Sequence, residues 1–104
     1  MIDVIGTDAG APGSLPPGAQ LLLEQAHLLA APKRLLPALQ QWRNSESNQR
    51  CIASDNPIAL SEELLALGRD QRAVVLASGD PLWFGIGRIL IERLGRERLR
   101  FHPG

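Results

Sequence analysis

The chain has 104 residues, 11 basic and 11 acidic side chains, and an apolar content of 44%, of which little is aromatic. This length suits one small domain, and a formal net charge of zero argues against a dedicated nucleic-acid or membrane-surface binder, which usually carries a basic excess. A single cysteine excludes an internal disulfide, and the sequence shows neither an apolar run of about 18 residues nor the basic start of a signal peptide, so we expect a soluble cytoplasmic protein without membrane contact.

The first third of the chain predicts a strand, a loop and a helix. Residues 2–6 form a short β-branched run ended by glycine, which is typical of a buried strand. Residues 7–17 hold too many glycines and prolines for regular structure. A helix is predicted from about Pro17, because proline is favoured in a first turn. Its apolar stripe is predicted to contain Leu21, Leu22, Gln25, Leu28 and Leu29, although residues 26–31 could instead form a short strand.

The middle of the chain predicts two helices around a short strand. Residues 33–41 are a brief helical candidate, and residues 51–53 are a candidate strand. Asn56 and Pro57 predict a helix start, with Asn56 as the N-cap and Pro57 at the first helical position. The apolar residues that follow at helical spacing are Leu60, Leu64 and Leu67. Gly68 stands where a C-terminal cap is expected.

The last third predicts a strand, a helix and a final strand. Residues 73–77 are continuous, apolar and too short for a helix, so they are the clearest strand in the sequence. A helix is predicted over about 84–94 and a strand over 98–102. Strands that alternate with helices indicate an α/β domain with a mostly parallel, five-stranded sheet between two helical layers. In such sheets ligands bind at the carboxyl ends of the strands, where the loops at 6–13 and 78–87 are expected.

The first of these loops does not fit a phosphate. A dinucleotide fingerprint that starts at Gly6 would need glycine at the positions of Asp8 and Ala11, and no phosphate-binding loop of the G-x-x-x-x-G-K-[ST] type exists in the chain. The carboxylate of Asp8 would also repel a pyrophosphate. An uncharged or cationic small ligand therefore fits better, and the alternative is a glycine-rich turn without a ligand.

The second loop presents one carboxylate beside two aromatic side chains. Asp80 could accept hydrogen bonds from an amine or from ribose hydroxyls, or it could cap the next turn. Trp83 and Phe84 could wall an apolar pocket or belong to the core.

Residues 75–87, which read VLASGDPLWFGIG, resemble the block VLASGDPLFYGIG of the tetrapyrrole (corrin/porphyrin) methylase family nearly position for position. Residues 4–6 resemble the VVGIG opening of that family, and residues 15–19 resemble its first helix start. Residues 26–36 resemble its second strand-to-helix junction, which implies a strand at 26–31. The similarity is closest to the branch of precorrin-6Y C(5,15)-methyltransferases (decarboxylating) and cobalt-precorrin-7 C(5)-methyltransferases.

The resemblance implies methyl transfer from S-adenosylmethionine to a precorrin macrocycle in cobalamin (vitamin B12) biosynthesis. In that family the cofactor lies in a cleft between two α/β domains. The implied cofactor-binding residues are Ala9, Gly79, Asp80, Pro81 and Trp83. Asp8 and Gly10 are implied to border the substrate side of the cleft. The sulfonium donor is cationic, which agrees with the first loop favouring an uncharged or cationic ligand over a phosphate. Methyl transfer needs orientation of donor and acceptor rather than a nucleophilic side chain, so no catalytic residue is assigned.

The sequence departs from the family pattern at three places. Asp8 replaces the second glycine of the opening loop, and Pro16 replaces a Ser/Thr helix cap at a cost of about 1 kcal/mol unless Ser14 substitutes. The family continues after a segment like residues 101–104 into a serine-containing cofactor loop and a second domain. The expectation is that residues 1–104 are a single N-terminal domain that is inactive alone, the second domain being absent.

Two alternatives to this function stay open. One is another member of the superfamily, which acts at a different precorrin position or as a diphthine synthase. The other is a non-catalytic, truncated domain that associates into a homodimer through apolar surface.

The remaining reactive residues have simpler interpretations. His27 and His102 are too far apart in sequence to suggest a metal site, and Cys51 is interpreted as a small buried hydrophobe. The arginines of the C-terminal part are interpreted as a solvated face, or as partners for the carboxylates of a corrinoid substrate; they are Arg88, Arg93, Arg96, Arg98 and Arg100.

Overall fold

The computed structural model describes residues 1–7, 16–42, 49–68, 70–78 and 86–102. The strands are β1 (Ile2–Thr7), β2 (Leu28–Ala31), β3 (Arg50–Ala53), β4 (Ala73–Ser78) and β5 (Leu99–His102). The α-helices are α1 (Pro17–Gln25), α2 (Leu36–Trp42), α3 (Pro57–Leu65) and α4 (Ile86–Leu94). The described residues also include two 3-10 helices: the first (Lys33–Leu35) follows β2, and the second (Arg96–Arg98) precedes β5.

The five strands form one sheet in the order β3-β2-β4-β1-β5, and every neighbouring pair is parallel. The three inner strands, β2, β4 and β1, are buried from end to end wherever their side chains are described. This explains why apolar residues predominate in them without alternation, because a strand covered on both faces has no solvent side. The predicted α/β class and five-stranded sheet are confirmed, and all the strand pairs are parallel.

Helices cover both faces of the sheet, so the fold has three layers. On one face α1 and α2 pack on Ile5, Leu29, Val74 and Leu76. On the opposite face α3 and α4 pack on a second cluster, which includes Val4, Val75, Ala77, Leu60 and Leu90. Alternate residues of β1 and β4 thus point into different clusters, as the two-residue period of a strand requires.

Helix α1 begins at Pro17 as predicted, but its predicted apolar stripe is only partly right: Leu22 packs against the core, as expected. Leu23, which the predicted stripe lacks, is the fully buried leucine of the helix, whereas Leu21 is 53% exposed. The prediction carried the stripe into Leu28 and Leu29, which belong to β2, because the helix already ends at Gln25. Gln49 marks this end, since its Nε2 donates to the carbonyl oxygens of Leu23 and Ala26 at 2.6 and 2.8 Å.

Helix α3 has the predicted N-cap but a different end. Oδ1 of Asn56 accepts hydrogen bonds from the backbone N–H groups of Ile58 and Ala59, both at 3.1 Å. This cap contributes about 1 kcal/mol to stability. Pro57 stands at the first helical position as predicted. The prediction of Gly68 as the C-terminal cap is wrong, because the helix ends at Leu65 with Ala66 in the capping position.

The remaining predicted elements are found close to their expected places. The helical candidate at 33–41 is the first 3-10 helix followed by α2, and the last strand starts one residue late, at Leu99. Gly95 connects α4 to the second 3-10 helix with φ of 86°, a conformation that glycine adopts without strain. Among the described residues, no helix is long and apolar enough to span a bilayer.

Candidate functional site

The carboxyl ends of β1 and β4 lie side by side at the centre of the sheet. The two strands pair in parallel along their whole length, and their last residues, Thr7 and Ser78, are partners in the register. The chain leads from β1 to α1 on one face and from β4 to α4 on the other. Neighbouring strands whose connections part to opposite faces open a crevice between them, which is the usual ligand site of a parallel sheet.

The predicted site residues continue directly from these two strand ends. Asp8, Ala9 and Gly10 follow Thr7 in the sequence, whereas Gly79, Asp80, Pro81 and Trp83 follow Ser78. All seven lie outside the described residues, so their assignment stays a prediction. The structure does bring together the strand ends from which both predicted loops start.

The carboxyl ends of β2 and β3 form a second, hydrogen-bonded part of the same edge. The N–H of Ser54 donates to the carbonyl oxygen of Ala31 at 2.9 Å, and the N–H of Lys33 donates to Oδ2 of Asp55 at 2.9 Å. The first 3-10 helix places the side chains of Lys33 and Arg34 in solvent and buries Leu35. Sequence reasoning missed these two basic residues as site candidates, although a basic pair that directly follows a predicted strand was the available signal.

A buried carboxylate lies further from this edge, between β1 and β5. Asp3 is 1% exposed, and its Oδ1 accepts hydrogen bonds from Nε of Arg100 and Nε2 of His102, both at 2.9 Å. Nη2 of Arg100 also donates to Oδ2 at 3.3 Å. A carboxylate is only an acceptor, so Nε2 of His102 carries the hydrogen. Sequence reasoning missed this cluster, because Asp3 stands within an apolar run that marks only a strand.

The structure gives the other candidate residues structural roles. Nδ1 of His27 accepts the backbone N–H of Arg72 at 3.0 Å, which ties the start of β2 to the segment before β4. Within the described ranges, no group of three or more His, Cys, Asp or Glu side chains could hold a metal ion. Cys51 is half-buried against the α1 side of the sheet.

The five arginines of the C-terminal part are all exposed, as interpreted from the sequence, and two of them also contact other elements. Arg93 Nε donates to the hydroxyl of Ser61 at 3.0 Å, which joins α4 to α3. Arg100 pairs with Asp3.

A groove of about 370 Å³ lies at the amino edge of the sheet, opposite the ends of β1 and β4. Met1 and Ile2 at the start of β1 line it together with Leu64, Leu67 and Arg98. The full length of the strands separates this groove from the carboxyl ends of β1 and β4, where the predicted cofactor loops start.

Comparison with known proteins agrees with this architecture. Residues 1–104 match the profile of a family described as Tetrapyrrole (Corrin/Porphyrin) Methylases. The chain is 35% identical over 104 residues to the cobalt-precorrin-7 C(5)-methyltransferases of Salmonella typhimurium and Salmonella typhi. That similarity covers 100% of this chain and 49% of each relative, so the chain spans about half the length of these relatives.

Solved structures show the same fold at lower identity. A cobalt precorrin-4 methyltransferase described as a cobalamin biosynthetic enzyme superposes with a TM-score of 0.78 at 19% identity, covering 99% of this chain and 45% of that one. The uroporphyrin-III C-methyltransferase of Thermus thermophilus superposes with a TM-score of 0.72 at 21% identity, covering 99% and 46%.

Proposed function

Because the chain belongs to the tetrapyrrole (corrin/porphyrin) methylases, we propose that it forms the N-terminal, cofactor-contacting part of a precorrin methyltransferase in cobalamin biosynthesis. The methyl donor proposed is S-adenosylmethionine, and the acceptor proposed is carbon 5 of a precorrin-6Y or cobalt-precorrin-7 macrocycle. The 35% identity to the cobalt-precorrin-7 C(5)-methyltransferases supports this choice of acceptor. We place the reaction in the cytoplasm.

The paired ends of β1 and β4 are the observation that carries the proposal. Thr7 and Ser78 lie opposite each other, so the loops that resemble the cofactor loops of the family start from neighbouring points. The donor fits this edge chemically, because it is a cation without a phosphate and Asp8 and Asp80 are the acidic residues of the two loops. When bound, the donor supplies an electrophilic methyl group. The protein contributes by holding the methyl donor and the acceptor carbon in the orientation that the transfer requires.

The assignment of Asp80 and Trp83 to the cofactor is tested by titration of the complete protein with S-adenosylhomocysteine. Asp80→Ala is expected to raise the dissociation constant at least about tenfold, because a charge-assisted hydrogen bond is removed. Trp83→Ala is expected to have a similar effect through lost apolar contact. Arg96→Gln, at the opposite edge of the sheet, is the control and should leave the titration unchanged. Unchanged curves for both loop variants would remove these residues from the site.

Residues 1–104 alone are expected to bind S-adenosylhomocysteine at least about tenfold more weakly than the complete protein, since we propose that they form only one side of a two-domain cleft. Calorimetry on both proteins at the same temperature and salt concentration measures the difference. Equal affinities would contradict a cleft shared between two domains.

The alternative of a self-associating module is tested by sedimentation of residues 1–104 at several concentrations. A monomer at every concentration would contradict self-association.

A further inference from the structure

The carboxyl edge of the sheet extends beyond β1 and β4 to the end of β2. Strand β2 pairs with β4 on the side away from β1, with Ala30 opposite Val75. Because paired strands lie about 4.8 Å apart, the end of β2 is about 5 Å from β4 and about 10 Å from β1. Lys33 and Arg34, which follow β2 after Pro32, therefore flank the crevice at which we propose that the cofactor binds.

The backbone that carries these two side chains is well anchored. Lys33 donates its N–H to Oδ2 of Asp55, and Leu35 donates its N–H to the carbonyl oxygen of Pro32 at 2.8 Å. Leu35 is buried in the cluster on the α1 side of the sheet. The two basic side chains are thus exposed on a fixed corner between the ends of β2 and β3, rather than on a free chain end.

Basic side chains outnumber acidic ones at the described part of this edge, although the whole chain is neutral. Lys33 and Arg34 follow β2, and Arg88 lies in the first turn of α4. Asp55 is the acidic residue on this corner, and one of its oxygens accepts the N–H of Lys33. None of the ion pairs among the described residues uses the ammonium group of Lys33.

We propose that Lys33 and Arg34 bind carboxylate groups on the rim of the tetrapyrrole substrate and so position the macrocycle at the outer side of the crevice. This inference rests on the proposed function. Precorrins carry acetate and propionate side chains around the macrocycle, and a guanidinium binds a carboxylate through two parallel hydrogen bonds while an ammonium adds a compact charge. The amino-acid part of the cofactor also ends in a carboxylate, so the test separates the two sources.

The experiment compares steady-state kinetics of the complete protein with those of the Lys33→Gln/Arg34→Gln variant, with precorrin-6Y or cobalt-precorrin-7 as the varied substrate. The KM for the macrocycle is expected to rise about tenfold or more, with kcat changed less than about threefold, because charge-assisted contacts are lost on binding. The KM of the variant should depend less on salt concentration than that of the parent protein. The dissociation constant of S-adenosylhomocysteine should stay within about twofold of the parent value.

The second 3-10 helix offers a matched control. Arg96 and Arg98 are also two exposed basic residues on a 3-10 helix, but they lie at the amino edge of the sheet. Arg96→Gln/Arg98→Gln is expected to leave the KM unchanged. The charge-conserving variant Lys33→Arg/Arg34→Lys keeps both positive charges but loses the paired hydrogen bonds of Arg34. Its KM should lie between those of the parent protein and of the Lys33→Gln/Arg34→Gln variant, which a loss of folding at this corner would not explain.

Three results would overturn the inference, and they are distinguishable. A parent-like KM in the Lys33→Gln/Arg34→Gln variant means that these residues do not contact the substrate. A weakened affinity for S-adenosylhomocysteine, with an unchanged KM for the macrocycle, means that the bound carboxylate belongs to the cofactor. Failure of the parent protein itself to methylate either precorrin contradicts the proposed function, and the inference then falls with it.

Discussion

Replacement of Leu23 by alanine is expected to lower the free energy of unfolding by about 3 kcal/mol, within the range of about 2 to 5 kcal/mol typical of buried leucines. Leu23 is 0% exposed and packs α1 on the sheet together with Leu29 and Leu76. The truncated side chain would leave a cavity, because neighbours held by a central strand relax only in part. The substitution is also relevant to the candidate site, because α1 begins after the predicted site loop that follows β1.

Leu21→Ala is the matched control for this substitution. Both leucines lie in α1, so the change in helix propensity is the same, but Leu21 is 53% exposed. We expect Leu21→Ala to cost less than about 1 kcal/mol. Urea unfolding of both variants, with a common slope against denaturant concentration, measures the difference. Equal losses at the two positions would mean that α1 does not pack on the sheet through Leu23.

The second large effect is expected at the carboxylate cluster between β1 and β5. The double substitution Arg100→Ala/His102→Ala is expected to cost about 3 kcal/mol or more, because it leaves the buried carboxylate of Asp3 without the side chains that donate hydrogen bonds to it. Asp3→Ala is expected to cost less, about 1 to 2 kcal/mol. The side chains left behind are already 50% exposed for Arg100 and 39% exposed for His102, so water can solvate them.

This asymmetry distinguishes a buried charge from an ordinary surface ion pair. In a surface pair, removal of either partner has nearly the same small effect. Here the single substitutions Arg100→Ala and His102→Ala should each cost less than half of the double one, since one partner remains on Asp3 in each case. Urea unfolding of the four variants at neutral pH gives the comparison. A loss for Asp3→Ala equal to or above that of the double variant would contradict the account.

The residues alone were sufficient to predict four of the five strands and most helix starts, whereas the strand at 26–31 was implied by the family resemblance. These predictions depend on local chemistry, such as the apolar run from Ala73 to Ala77 or the cap formed by Asn56. The end of α3 was not predicted correctly, because Gly68 is a typical C-terminal cap residue but the helix ends at Leu65. Helix ends depend on small differences between alternative hydrogen bonds, and here the chain closes with the Ala66 N–H on the carbonyl oxygen of Glu62 at 3.2 Å.

The candidate site was predicted as two loops, and the structure shows that the strand ends from which these loops start are neighbours. The sequence placed Asp8 and Asp80 after strands, but those strands lie about 70 residues apart in the chain, and only the parallel register sets Thr7 against Ser78. The basic pair Lys33 and Arg34 follows a predicted strand, but this local signal does not show which other strand end lies beside it. It became a candidate because β2 lies beside β4 in the sheet.

The neutral, 104-residue chain carries in its local sequence the α/β alternation, the caps and the composition of the two loops. The tertiary structure alone decided which strands are neighbours, and therefore that Asp3 meets Arg100 across 97 residues of chain. It also decided that Leu23 rather than Leu21 faces the sheet. The physical reason is that strand and helix patterns depend on residues that are neighbours in the sequence. Strand order and side-chain partners depend instead on which arrangement covers both apolar faces of the sheet at the lowest free energy.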